Sequence, residues 1–284
     1  MDLSIIIINH NTKKLTTDAV NAIHDSRVKY SYEVIVVDNS DREEQQFQCE
    51  DSRVVILPNV ENRGFAHGCN EGFRVSKGEY VLFLNSDTLM QENTLNQSIT
   101  YLKEHANVGG LCVRLENQYG EFDHGCKRGF PTPWNAFCYY SRLDRIFPKW
   151  KSVNGYCLRY LDDAEPHEVD AVSGAYLMMP RSVYEKTGGF DETFFMYGED
   201  LDLCYKIHEQ GYSIVYNPLV KCIHLKGKSG KDNPMVRYHF YYAMILFYDR
   251  YYQNKHSGLT NGLVKIVLNH KVKQYAKRME NQNV

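Results

Sequence analysis

No stretch of the chain approaches the ~20 consecutive apolar residues that a bilayer-spanning helix needs. The densest run, YYAMILFY at 241–248, stops far short. The amino terminus, MDLSIIIINHN, has an acid at position 2, only four isoleucines in a row and no small-residue cleavage site, so it does not read as a signal peptide. The eight cysteines include no CxxC pair, and several sit inside apolar runs, as Cys112 does in GGLCVRL. That pattern argues against a disulfide framework and for a reducing, cytoplasmic setting. No GxGxxG follows the first apolar run, which argues against a Rossmann dinucleotide site, and VKCIHLKGKSG lacks the GxxxxGK(S/T) spacing of a P-loop. Internal repeats and low-complexity tracts are absent. Charge is nearly balanced, 33 Lys and Arg against 35 Asp and Glu, and nothing in it points to nucleic acid.

What is present is a globular chain, 43% hydrophobic and 24% charged, long enough for one large core or two modest ones. LSIIIINHN reads as a buried strand, and the spacing of Leu15, Ala19, Ala22 and Ile23 predicts a helix lying on a sheet. YEVIVVDNS, VVILPN and EYVLFLNSD read as further strands, with a glycine-bearing periodic segment, NRGFAHGCNEGFRVSKG, before the last. Continuous apolar strands alternating with helices predict a mostly parallel, Rossmann-like α/β sheet flanked by helices. Residues 116–168 mix glycine, proline, aromatics and charge and predict a loop-rich insertion with short helices, conceivably a lid or acceptor platform. The aromatic stretch VRYHFYYAMILFYDRYY predicts a C-terminal helical extension, in which Tyr238, Tyr241, Tyr242 and Ile245 share a helical face suited to packing on the main domain or a second subunit. Residues 221–284 carry twelve Lys or Arg against three Asp or Glu, which fits either a solvated basic tail or peripheral contact with an anionic membrane or ligand.

In open sheets of this kind ligands sit beyond the carboxyl ends of the strands. Three strands end in polar clusters: Asn9, His10 and Asn11; Asp38, Asn39 and Ser40; Asn85, Ser86 and Asp87. Turns and caps account for any one of them; three at one edge suggest a site. MYGEDLDLCYKIHEQGY holds Glu199, Asp200 and Asp202, three carboxylates in the first turn of a helix starting near Glu199. The helix dipole favours acids there. The aromatic, glycine-rich GGFDETFFMYG before it could also desolvate one of them and raise its basicity, as a general base requires. His224, with Lys226, Lys228 and Ser229 behind it, could serve near a phosphate-bound cation or simply be structural.

Taken together, IIIINHN, VIVVDNS, ENRGFAHGCNEG, YVLFLNSD, VSGAYLMMPRSVYEKTGGFDETFFMYGEDLDLCYKIHEQGY and His224 resemble glycosyltransferase family 2, of the GT-A fold, and its bacterial rhamnosyltransferase-like branch. The resemblance implies a catalytic domain over 1–230, with a nucleotide-sugar half to about 115 and an acceptor half from about 116, and an extension over 231–284. It implies donor contacts from Asp38, Asn9, His10, Asn11, Asn62 and Arg63, and from the turn Asn85, Ser86 and Asp87, with Lys226 and Ser229 near the diphosphate. Asn85 stands where the family's DxD motif has its first acid, so Asp87 with His224 would hold a Mn²⁺ or Mg²⁺ ion. Asp200, or Glu199 as runner-up, would be the base of an inverting displacement, with Ser173, Gly174 and Ala175 beside the donor sugar and Asp191 on the acceptor side.

The implied reaction moves L-rhamnose from dTDP-L-rhamnose to a hydroxyl of a lipid-linked or polysaccharide acceptor at the inner face of the membrane. A UDP-hexose or UDP-galactofuranose donor, or a non-catalytic nucleotide-sugar-binding subunit, are the alternatives, and a homo-oligomer is open. A nucleotidyltransferase would place a lysine- and glycine-rich signature near the first strand, which INHNTKKL is not.

Overall fold

Four consecutive isoleucines leave little room for anything but a strand buried on both faces, because β-branched side chains pack well on a pleated surface and poorly in a helix. In the computed structural model, which describes residues 1–58, 61–225 and 233–281, this run lies within β1 (Leu3–Asn9), with Leu3, Ile5, Ile6 and Ile7 essentially inaccessible. The chain continues through α1 (Lys13–Asp25), β2 (Tyr32–Asp38), β3 (Val54–Pro58), α2 (Phe65–Val75), β4 (Tyr80–Asn85), β5 (Thr88–Met90), α3 (Thr94–Glu104) and β6 (Val108–Glu116). After it come α4 (Pro133–Tyr140), α5 (Leu143–Ile146), β7 (His167–Glu168), β8 (Tyr176–Pro180), α6 (Arg181–Thr187), α7 (Glu199–Glu209), β9 (Ser213–His224), α8 (Pro234–Tyr251) and α9 (Gly258–Glu280).

One nine-stranded sheet runs β3-β2-β1-β4-β8-β6-β9-β5, with β7 also on β9. The first four strands are parallel. Strand β8 is antiparallel to both β4 and β6, and β5 and β7 are antiparallel to β9. The fold is therefore mixed but mostly parallel, as the GT-A expectation requires. Register matters more than order here: Asn9 pairs with Asp38, and Ile8 with Asn85, so all three polar strand ends open on one edge.

Two local details depart from the sequence reading. The buried stripe of α1 is Thr16, Ala19, Val20 and Ile23, with Leu15 and Ala22 at its margin. Thr16 turns inward because its hydroxyl donates to Asn9 Oδ1 at 2.9 Å. On α8, Ala243, Phe247 and Tyr248 face the core with Tyr241, while Tyr242 points to solvent. The helix rolls that way because Arg250 reaches Asp191 at 2.6 Å and Asp202 at 2.5 Å, and Tyr251 donates to Asp202 at 2.7 Å.

Residues 116–168 are indeed irregular, holding two short helices and the two-residue β7. They are nonetheless anchored: Lys127, fully buried, donates to the carbonyl of Leu161 and pairs with Asp163 at 2.7 Å. All eight cysteines are free thiols. Among the described residues no helix is long and apolar enough to cross a membrane.

Candidate active site at the carboxyl edge of the sheet

Asn9 lies at the floor of this edge, fully buried. Its amide donates to Asp38 Oδ1 (3.0 Å), Ser40 Oγ (2.9 Å) and the Gln45 carbonyl (3.0 Å), while its oxygen accepts from Thr12 and Thr16. Both ends of the side chain are thus committed to the protein, and Asn9 organises the strand ends at this edge. Asp38 does similar work, accepting from the Ser40 and Phe47 backbone amides at 3.0 and 2.6 Å. Together they fold the 39–47 loop over the ends of β1 and β2. His10 is exposed, and its Nδ1 lies 3.0 Å from the Asn39 carbonyl and 3.4 Å from Asn62 Nδ2. Asn11, at a φ of 54°, donates to Asp41 at 2.6 Å. Asn62 caps the turn into α2 by accepting from the Gly64 amide at 3.0 Å. That turn needs glycine, since Gly64 has a φ of 98° and a Cβ would lie 2.4 Å from the Phe195 carbonyl oxygen. Arg63 is exposed, 3.7 Å from Glu192. Gly68 and Gly72 face Ile8 and Ile6 of β1 instead of the cleft; they let α2 pack closely on the sheet.

The turn after β4 carries Asn85, Ser86 and Asp87, all half-buried. Ser86 Oγ contacts Thr12 Oγ1 at 3.2 Å. The antiparallel register of β5 and β9 sets Thr88 opposite His224, which brings Asp87 Oδ1 to 3.3 Å from His224 Nε2. On the other side of the ring, Nδ1 lies 3.2 Å from Asp123 Oδ2. Burial alone would lower the imidazole pKa, but its hydrogen bonds to Asp123 and Asp87 outweigh it and hold it up at about 9.

Among the described residues no group of three or more His, Cys, Asp or Glu side chains gathers as a self-sufficient metal centre. The pair Asp87 and His224 nevertheless fits the expected divalent ion. It offers one carboxylate oxygen and one imidazole nitrogen side by side, with Asp123 on the far nitrogen to fix the ring, the arrangement by which carboxylates orient ligating histidines. The remaining ligands would have to come from a diphosphate.

The acidic helix start is where the sequence placed it, with Glu199, Asp200 and Asp202 in the first turn of α7. Their roles divide. Asp202 is fully buried and accepts from Arg250 and Tyr251, with Lys206 at 2.8 Å, so it is a structural anchor. Asp191 is also held by Arg250 and by its own Thr193, which ties the 191–195 loop to α8. Glu199 is buried with Oε2 unpartnered, and burial first, then the Asp200 charge, pushes its pKa up to about 8. Asp200 Oδ2 meets Arg128 at 2.5 Å and accepts from the Gly174 amide at 3.3 Å. Burial works against the Arg128 charge, yet Asp200 beside it raises that guanidinium's pKa above its ordinary value.

Of Ser173, Gly174 and Ala175, Gly174 therefore lies against Asp200. The next residue joins the other cluster, because the Ala175 carbonyl accepts from the Asn85 amide at 3.2 Å and from the Thr88 hydroxyl at 3.3 Å. Lys226 and Ser229 lie outside the described residues. Arg128 and Asp123 were not foreseen; both come from the irregular 116–168 segment, where no periodicity marks an inward-facing residue.

Comparison with known proteins agrees with this architecture. Residues 4–188 match Glycosyl transferase family 2. The low-salt glycan biosynthesis hexosyltransferase Agl10 of Haloferax volcanii is 28% identical over 227 residues, covering 78% of this chain and 67% of that protein. The rhamnosyltransferase WbbL of Escherichia coli is 25% identical over 231 residues, covering 78% and 82%. The O-antigen chain rhamnosyltransferase RfbN of Salmonella typhimurium is 22% identical, covering 76% and 64%. Among solved structures, GalNAc-T7 with UDP, GalNAc and Mn²⁺ aligns over 89% of this chain with a TM-score of 0.64 at 15% identity. The mannosyltransferase PcManGT of Pyrobaculum calidifontis, in complex with GDP-Man and Mn²⁺, aligns over 97% with a TM-score of 0.56 at 17% identity. The chain spans 48% of the first of these structures and 73% of the second. It has the GT-A fold and belongs to glycosyl transferase family 2.

Proposed function

We propose that the chain transfers a sugar, L-rhamnose from dTDP-L-rhamnose, to a hydroxyl of a lipid-linked or polysaccharide acceptor, with inversion at the anomeric carbon. The observation that supports this most is the 173–175 peptide. Its Gly174 amide touches Asp200 and its Ala175 carbonyl touches the Asn85–Thr88 turn, so the two sites are within roughly 10 Å along that short peptide. That is room for one sugar between a base and a diphosphate. The names of WbbL and RfbN favour rhamnose. The hexosyltransferase name of Agl10 keeps a UDP-hexose as the second reading.

In this reading Asn9 and Asp38 shape the base pocket, Asn62 and Arg63 border it, and Asp87 with His224 faces the diphosphate. A divalent cation bound there offsets charge developing on the leaving group. Asp200 takes the acceptor hydroxyl proton, the oxygen bonds to the anomeric carbon, and the bond to the diphosphate breaks with its electron pair leaving on phosphate. The peptide 173–175 lies along the sugar and Asp191 borders the acceptor side. Residues 1–115 serve the donor and 116–230 the acceptor.

Hydrolysis and transfer assays with dTDP-L-rhamnose and UDP-hexoses, with Mn²⁺ present and after chelation, test the reading. Release of nucleoside diphosphate from dTDP-L-rhamnose, with the product anomer inverted by NMR, is the expected result. Tight donor binding without turnover on any acceptor or water would sink it in favour of a binding subunit.

A further inference from the structure

The insertion carries an apolar surface that none of the site contacts described above involves. Trp134, Phe137, Tyr140, Ile146, Phe147 and Trp150 are all exposed, between 44% and 65%, within 17 residues. Soluble surfaces rarely gather large apolar side chains this densely, and a contiguous exposed patch marks an interaction site. The charge around it is one-sided. Arg142, Arg145, Lys149 and Lys151 are exposed, and the segment's single acid, Asp144, is buried on Arg159 at 3.2 Å. Both tryptophans of the whole chain are here. Trp134 donates its indole N–H to the Ser152 carbonyl at 2.8 Å, which fixes the exposed ring, and exposed indole rings beside basic residues suit the boundary between hydrocarbon and headgroups.

The patch does not end with the insertion. Helix α9 exposes Leu259, Leu263, Ile266 and Val267, and its basic residues from Lys265 to Arg278 face only one acid, Glu280. Phe137 and Tyr140 of α4 and Leu263 and Val267 of α9 line one cavity of about 790 Å³, so the two elements form a single apolar face. That cavity also reaches Tyr156, whose carbonyl accepts from the Gly129 amide at 2.8 Å, next to Arg128 and hence to Asp200. Tyr156 thus links the cavity to the Arg128–Asp200 pair.

We propose that the face formed by residues 134–151 and the outer side of α9 docks on an anionic lipid bilayer, with Trp134 and Trp150 inserted at the headgroup level. Membrane contact through the basic C-terminal tail alone would leave the insertion exposed; here the insertion is the anchor and α9 supports it. Exposed aromatic and aliphatic side chains enter the interface, while Arg142, Arg145, Lys149 and Lys151 meet lipid phosphates. This stands independently of the sugar donor and of the base assignment.

Because the only tryptophans lie in the proposed anchor, their emission reports docking directly. The full chain is titrated with vesicles of phosphatidylcholine alone and with 30% phosphatidylglycerol, following emission and co-sedimentation. The expected result is a blue shift and sedimentation with the anionic vesicles, weakened by high salt. Phe137→Ser with Ile146→Ser weakens partitioning at least about tenfold, since each loses buried apolar area. Arg142→Glu with Lys149→Glu weakens it as well while leaving the apolar residues in place. Nucleotide-sugar binding by these surface variants is unchanged, which separates failure here from failure of the transferase reading. An unshifted emission with anionic vesicles overturns the proposal. So does a concentration-dependent blue shift without vesicles accompanied by a dimer mass, which would assign the face to a second copy of the chain.

Discussion

Arg128 and Asp200 meet at 2.5 Å between the irregular insertion and the first turn of α7, and neither is more than 16% exposed at its side chain. The pair couples the proposed base to the 116–168 insertion. Asp200→Asn keeps the shape and removes the proton acceptor, so kcat falls by about 10²–10⁴ while donor affinity holds. Steady-state kinetics with a calorimetric donor titration measures both. An unchanged kcat would move the role to Glu199, for which Glu199→Gln is the matching variant.

Arg128→Met removes the cation and leaves a nearly buried carboxylate behind. Breaking one side of such a pair costs about 3–5 kcal/mol, read as a lower urea midpoint. Asp200→Asn in the same background restores most of it, because the residual cost lies in the stranded charge and not in lost packing. A double variant no more stable than Arg128→Met would mean the guanidinium acts mainly through its bond to the Val172 carbonyl.

These partners explain what could and could not be read from the sequence. The isoleucine run and the alternation of strands and helices fixed the parallel half of the sheet, because burial on both faces writes itself as uninterrupted apolar residues. Asn9, Asp38 and Asn85 were legible for the same reason: each is the first polar residue after such a run, and register then aligns them. The start of α7 at Glu199 was legible from its acids. Arg128 lies 72 residues from Asp200, and Asp123 lies 101 from His224. Both depend on an aperiodic segment folding back, which no local pattern encodes. The orientation of α8 was misjudged for a similar reason, since Arg250 and its two distant carboxylates set the roll of the helix.

Asp123 is predicted to matter to the ion without touching the donor. It holds the far nitrogen of His224, and loss of such a carboxylate lowers metal affinity by about 10–100-fold. Mn²⁺ titration in the presence of nucleoside diphosphate, by electron paramagnetic resonance, should show that loss in Asp123→Asn and a larger one in Asp87→Ala. Equal affinity in the wild type and Asp87→Ala would remove Asp87 from the ion site.

Glu199 predicts the pH dependence of stability. Its folded pKa of about 8 lies above the ordinary carboxyl value of 4.5. Between those values the unfolded chain has already released the proton that the folded chain keeps, so folding loses stability as pH rises. The slope from this group reaches at most about 1.4 kcal/mol per pH unit. Glu199→Gln, uncharged throughout, flattens the urea midpoint between pH 5 and 8 and stabilises the protein most at the alkaline end. A wild-type midpoint that rises across this window, with no flattening in the variant, would contradict the assignment.

Arg250 ties α8 to the loop before α7 and to α7 itself. Its guanidinium joins Asp191 on the 191–195 loop to Asp202 inside α7, and Asp202 has no exposed surface at all. Arg250→Met should therefore cost about 3–5 kcal/mol, because a fully buried carboxylate keeps only Lys206 and Tyr251 as partners. Arg250→Met with Asp202→Asn should recover part of this, since the neutral amide needs no counter-charge. Hydrogen exchange separates the two functions of the clamp. In the single variant α7, α8 and the 191–195 loop should all lose protection, whereas in the double variant α7 should regain it and the loop should stay open, because Asp191 still lacks its arginine. If α8 alone opens in both variants, the extension is bound through Phe247 and its aromatic neighbours, and the arginine contributes little to holding the acceptor side.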